Sequence, residues 1–189
     1  MRWRETLSTA TDLALIGIGV TVAALPVVSA GAAVRTGSVA VAHFIEYGYA
    51  PSLRELGRTF VRALLPGLGA TALVVAVAGL LVVDVVALRA GWVPGGPPAL
   101  LATGLVAACL VAIAALAAVR LGREPAPSWW SALRWAGHAA TRTPGAAVAV
   151  IGVVAVAAAL GLLLPLTIPL VVGYTLFALH AVAARMLPA

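Results

Sequence analysis

The sequence predicts an all-α, polytopic helical membrane protein, with about six membrane helices and two amphipathic helices at the interface. Three observations predict it. The 189 residues are 63% hydrophobic and only 10% charged, where a soluble domain is about 45–50% apolar and about 25% charged. Several apolar runs reach the roughly 20 residues that cross a bilayer core about 30 Å thick. Most arginines stand beside these runs, and little chain is left over for a soluble domain. Residues 1–189 therefore read as a single integral membrane domain.

The first apolar stretch, 13–34, contains Pro26 and the cluster Ser29-Ala30-Gly31, with Arg35 just beyond. It admits three readings. As one span it gives five membrane helices, with the amino terminus outside and nine arginines inside. As a signal peptide cleaved before Gly31, it puts Arg35, Arg54, Arg58 and Arg62 outside, against the positive-inside rule. As a hairpin, Pro26 ends one helix near Leu25, Ser29 caps the next, and that helix runs to about Gly48. The hairpin reading gives membrane helices at about 6–25, 29–48, 64–88, 99–119, 144–164 and 167–186, with both termini cytoplasmic. It leaves Arg89 as the only arginine outside, which is the cleanest charge asymmetry, and it is preferred. A re-entrant hairpin gives the same sidedness.

In SLRELGRTFVRALL (52–65), Arg54, Arg58 and Arg62 recur every four residues, opposite Leu53, Leu56, Phe60 and Leu64. Pro66 then suits the first turn of the next helix, where no amide donor is needed. The run from Gly91 to Pro98 reads as an aqueous turn, with Trp92 as an interface anchor. In SWWSALRWAGHAATR (128–142), Arg134, His138 and Arg142 recur likewise, and Trp129, Trp130, Leu133 and Ala136 supply apolar surface. Pro144-Gly145 opens the next span, and Leu164-Pro165-Leu166-Thr167-Ile168-Pro169 reads as a tight apolar hairpin. Both amphipathic segments are expected to lie in the interface, apolar side inward. Arg54, Arg58, Arg62, Trp129, Trp130, Arg134 and Arg142 are then the expected lipid-headgroup contacts.

The two basic segments resemble copies of a weak internal repeat, about 29–88 and 99–164. Pro66-Gly67 matches Pro144-Gly145 at offset 78 and the arginines match at offset 80, so the register needs a two-residue gap. Two spans per copy make the repeat parallel rather than inverted.

Net charge is +6, and all twelve basic residues are arginine; Lys, Asn and Gln are absent. Arginines beside apolar spans point to a bilayer with anionic headgroups, not to nucleic acid. Without side-chain amides, a dedicated sugar-reading site is not expected. Cys109 is the only cysteine, so no intramolecular disulfide forms, and it is expected to pack as a small apolar residue.

Leu25-Pro26-Val27-Val28-Ser29-Ala30-Gly31-Ala32-Ala33 resembles the Leu-Pro-Val-Val-Thr-x-Gly-Ala segment of the YesL-like family of bacterial integral membrane proteins, whose function is not known. The resemblance covers roughly residues 10–88. Ser29 stands for the family's Thr, and the first helix lacks the Asn and Trp often found there. The resemblance implies an accessory protein of the kind often encoded near carbohydrate-uptake transporters. It carries over no catalytic residue.

Ionisable groups inside spans are costly and are functional candidates by default. Arg35, His43 and Glu46 share one helix face at i, i+8 and i+11, and with Asp84 they form a candidate polar track. The structural alternative pairs Arg35 with Asp84 and leaves His43 and Glu46 near the inner interface. His180 reads as a satisfied interhelical histidine. HExxH, GxSxG, P-loop and GxGxxG patterns are absent, and three histidines and one cysteine lack metal-ligand spacing. No catalytic residue, cofactor or metal is therefore expected. Spacing alone leaves open a Ser–His pairing among Ser29, Ser38, His138 and His180. Small residues, among them Gly17, Gly19, Ala112, Ala118, Gly152 and Gly161, favour close helix packing over a wide pore.

The expectation is a non-enzymatic multi-pass protein of the bacterial inner membrane, an accessory or assembly partner of another membrane complex such as a carbohydrate-uptake transporter. The alternative is a small solute transporter or channel using the polar track.

Overall fold

The computed structural model describes residues 2–92, 95–124 and 128–187, with side chains from Ala10 onward. Among them the chain forms seven α-helices and no strand. They are α1 (Arg2–Ala24), α2 (Ala30–Tyr47), α3 (Leu53–Arg89), α4 (Gly96–Arg123), α5 (Trp129–Arg142), α6 (Pro144–Leu163) and α7 (Ile168–Met186). Short 3-10 turns at Val27–Ser29 and Pro165–Thr167 make the α1–α2 and α6–α7 hairpins. Five helical stretches are long and apolar enough to cross a membrane: Val27–Tyr47, Leu53–Arg89, Gly96–Arg123, Pro144–Leu163 and Pro165–Met186. The described apolar part of α1, Ala10–Ala24, is shorter. The chain is thus an all-α, multi-pass membrane protein.

Residues 25–29 break the chain into two helices, so the single span over 13–34 is not formed. Ser29 acts differently from a cap on α2. Its hydroxyl turns back to the carbonyls of Ala23 (2.6 Å) and Pro26 (2.8 Å), tying the turn to the end of α1. The cap of α2 comes from elsewhere. The Gly31 amide, one of the unpaired donors of the first turn, donates to Thr71 Oγ1 of α3 at 2.9 Å. Thr71 Oγ1 in turn donates to the Gly67 carbonyl at 3.0 Å. Thr71→Val should therefore strand a buried amide and lower stability by about 1–3 kcal/mol. Thermal unfolding in detergent checks this, and Thr71→Ser, which keeps the hydroxyl, should recover most of the loss.

The expected helix start at Pro66 is a correction. α3 begins instead at a capping box, Ser52 with Glu55, and runs unbroken through Pro66 for 37 residues. An interior proline costs one backbone bond and a ring clash, ~3 kcal/mol. Packing on both sides holds the helix through it: Ala63 and Gly67 are buried, and a Cβ at Gly67 would lie 2.7 Å from the Ala32 amide. The basic segment 52–65 is consequently the first third of one continuous helix rather than a separate helix. Pro144, its match in the repeat, does open α6, at the break after Thr143. α2 ends at Gly48, whose φ of +79° suits a residue without a Cβ.

The hairpin tip meets α3 at Gly67 and Thr71, so α2 lies antiparallel beside the basic half of α3. α3 is ~55 Å long at 1.5 Å per residue, and its last eighteen residues (72–89) continue beyond the tip. They pair with the first half of α4, and Thr103 Oγ1 donates to Asp84 Oδ2 at 2.5 Å. This distal hairpin exposes Leu73, Leu80, Val83, Leu101 and Leu105. Cys109 is exposed on it as well, not packed inside.

Two apolar cores lie under the distal hairpin. One joins the second half of α4 to α5, α6 and α7 around Leu116, Leu121, Val150 and Leu179. The other joins α1, α2 and α7 around Ile16, Val20, Val41 and Leu176, with Leu56 and Phe60 of α3 against it. Glycine sets the closest crossing. A Cβ at Gly17 would run into the Pro169 carbonyl and the Gly173 backbone, and one at Gly173 into the Leu13 carbonyl. Gly19 and Gly152 make no such approach.

Candidate functional site

α2, the end of α4 and the end of α7 enclose a cavity of about 360 Å³ lined by His43, Glu46, Gly122, Arg123 and His180 with Val39, Ala42 and Ile45. Helical spacing explains the first pair: residues three apart on α2 share a face. Arg123 and His180 come from distant sequence. Arg123 enters because α4 continues a turn past the expected end at residue 119. Its Nη2 donates to the His180 carbonyl at 3.0 Å, which fixes the guanidinium at the rim.

The inner end of the cavity is closed. Ser38 and His180 are 0% and 1% exposed. His180 Nδ1 lies 2.9 Å from the Leu176 carbonyl, which makes Nδ1 the protonated nitrogen. Ser38 Oγ lies 3.3 Å from His180 Nε2 and 2.5 Å from the Ala118 carbonyl. The Ser38 hydroxyl is the one donor between two acceptors, the Ala118 carbonyl and His180 Nε2. A Cβ at Gly122 would lie 2.5 Å from the Ser38 carbonyl, so the backbone of α4 covers Ser38. Ser38 and His180 do meet, as spacing left open, but as a tie between α2, α4 and α7 beneath a covering backbone. His180 is the satisfied interhelical histidine expected from the sequence.

The four residues of the expected track separate. His43 and Glu46 line the cavity. His43 Nδ1 also sits 3.2 Å from the Tyr49 carbonyl, and its ring lies 4.5 Å from that of Tyr47. Arg35 lies half-buried on α2 outside the cavity lining, and its Nε has no hydrogen-bond partner among the described residues. Asp84 holds Thr103 on the distal hairpin. The Arg35–Asp84 pairing is a correction: the hairpin tip meets α3 at Thr71, and Asp84 stands ~20 Å further along at 1.5 Å per residue. Among the described residues the one ion pair is Arg120 with Glu124, and Arg120 also stacks over Trp135 at 5.0 Å.

The expected headgroup contacts divide too. Arg54, Arg58, Arg62, Arg134 and Arg142 are exposed. Trp130 is 69% exposed, whereas Trp129 turns inward against the α4–α5–α6–α7 core. α5 buries Ala132 and Ala136 on that core and keeps its basic side outward.

The cavity thus offers a guanidinium and a carboxylate near its mouth and a buried imidazole at depth. That set can hold a small polar or zwitterionic group, or relay a proton. Among the described residues no three His, Cys, Asp or Glu side chains group to hold a metal ion. No family model, curated protein or solved structure matches the chain.

Proposed function

We propose that this chain is a non-enzymatic multi-pass protein of the bacterial inner membrane that serves as an accessory or assembly partner of another membrane complex. The distal α3–α4 hairpin carries the reading. It stands beyond the α1–α2 tip with apolar side chains exposed and one polar pair, Asp84–Thr103, among them. Polar groups within apolar membrane surface are costly unless a partner covers them. The resemblance to YesL-like proteins supports a carbohydrate-uptake transporter as that partner.

The test is purification after mild solubilisation, with mass spectrometry of co-purifying membrane proteins. Transporter subunits should accompany the wild type and be lost from a Leu80→Trp/Val83→Trp double variant. Lipid accommodates the added rings, whereas a packed interface does not. A single monodisperse species in every mild detergent would sink the reading.

The polar cavity favours a second reading, a small solute transporter or channel. Reconstituted solute flux abolished by Glu46→Gln supports it; no flux, or flux indifferent to the substitution, removes it. Sidedness rests on the arginine distribution, which places both termini and the α2–α3 connection in the cytoplasm. A cysteine at Ala50 should therefore be labelled by impermeant reagent only from the cytoplasmic face. Labelling from outside refutes the orientation.

A further inference from the structure

α1, α2 and the first turns of α3 enclose a second cavity, a cleft of about 360 Å³, at the lower end of the range for ligand pockets, about 300–1,000 Å³. Its walls are Leu15, Ile16 and Val20 of α1 against Leu56 and Phe60 of α3, over small residues of α2. Two glycines keep it open. Gly19 and Gly57 both line it, and a Cβ at either would have nothing within 4 Å. One ionisable side chain lines it, Asp12, and among the described residues no cation pairs with that carboxylate.

Depth and length identify the occupant. Asp12 directly precedes the uncharged run 13–34, and a carboxylate beside such a run is least costly where headgroups meet the hydrocarbon core. From Asp12 the lining climbs α1 to Ala23. Eleven residues of helix rise ~16 Å, close to one leaflet's share, ~15 Å, of the bilayer core. The cleft is therefore as long as one acyl chain, with a carboxylate at headgroup level. A carboxylate there repels a bare phosphate and attracts an ammonium. Arg58 lies two residues from both Leu56 and Phe60, on the side of α3 away from the cleft, and Arg54 borders the cleft beside Gly57 without lining it.

We propose that this cleft binds one acyl chain of phosphatidylethanolamine, with the lipid's ammonium on Asp12. Charge-assisted hydrogen bonding of that kind corresponds to a preference of about tenfold over an anionic lipid with the same chains. The experiment offers the purified full chain equal phosphatidylethanolamine and phosphatidylglycerol in detergent micelles and counts bound lipid by native mass spectrometry. The wild type should retain one phosphatidylethanolamine in preference. Asp12→Asn should bring the two lipids to parity. Gly19→Leu and Gly57→Leu should lose the bound lipid while melting at or above the wild-type temperature, because the new side chain enters open space and removes a helical glycine. An unchanged preference in Asp12→Asn, or lipid retained by both leucine variants, overturns the proposal.

Discussion

Gly17→Leu should be the most damaging single substitution in the bundle, costing ~3 kcal/mol or more. Overpacking against movable side chains costs about 1–3 kcal/mol. At Gly17 the obstruction is backbone, the Pro169 carbonyl and the Gly173 chain, and neither can rotate aside. Separating α1 from α7 also opens the core around Ile16, Val20 and Leu176. At about 2–4 °C per kcal/mol for a chain of this size, the melting temperature should fall by ~6–12 °C. Gly19→Leu, two residues along the same helix and facing open space, is the control and should leave it unchanged or raised. Equal melting of the two variants would refute the close α1–α7 crossing.

The second large effect is expected at the Ser38–His180 tie. Ser38→Ala removes the donor to the Ala118 carbonyl and the contact with His180 Nε2, both fully buried. An unsatisfied buried group costs about 1–3 kcal/mol, the more so in a low-dielectric interior. His180→Leu removes the contact to Ser38 from the other side and the bond to the Leu176 carbonyl. Each single variant should lose ~1–3 kcal/mol. The double variant should lose less than the sum by ~0.5 kcal/mol or more, because the two groups share one network. Thermal melts of the four proteins decide it, and strict additivity would dissolve the tie.

The class of protein and the hairpin break were legible because both are local. Pro26 and the small residues after it interrupt a helix wherever the chain goes, and Pro144 after Thr143 starts one. Pro66 misled because proline suits both a first turn and a packed interior, and sequence does not say which. What decides it is Gly31 and Ala32 closing on Gly67 from more than thirty residues away. The polar track fared similarly. His43 and Glu46, three apart on one helix, line the cavity together, but Arg123 and His180 join them through tertiary contact. Arg35 and Asp84 fell away because the register between α2 and α3 is fixed by the Thr71 bond, which no spacing rule announces. The Asp12 cleft is not legible in the sequence for a related reason. A void depends on which glycines face open space, and Gly19 looks no different in sequence from Gly17.

The stepped outline also bears on the surrounding membrane. α2 is ~27 Å long, and the apolar part of α3 beyond Arg62 is ~39 Å. No single hydrocarbon thickness matches both, and each ångström of mismatch costs a fraction of a kcal/mol. Helix tilt and local change of bilayer thickness are the ways such a mismatch is met. In membrane of uneven thickness, a perimeter with one short and one long side favours one orientation over the other.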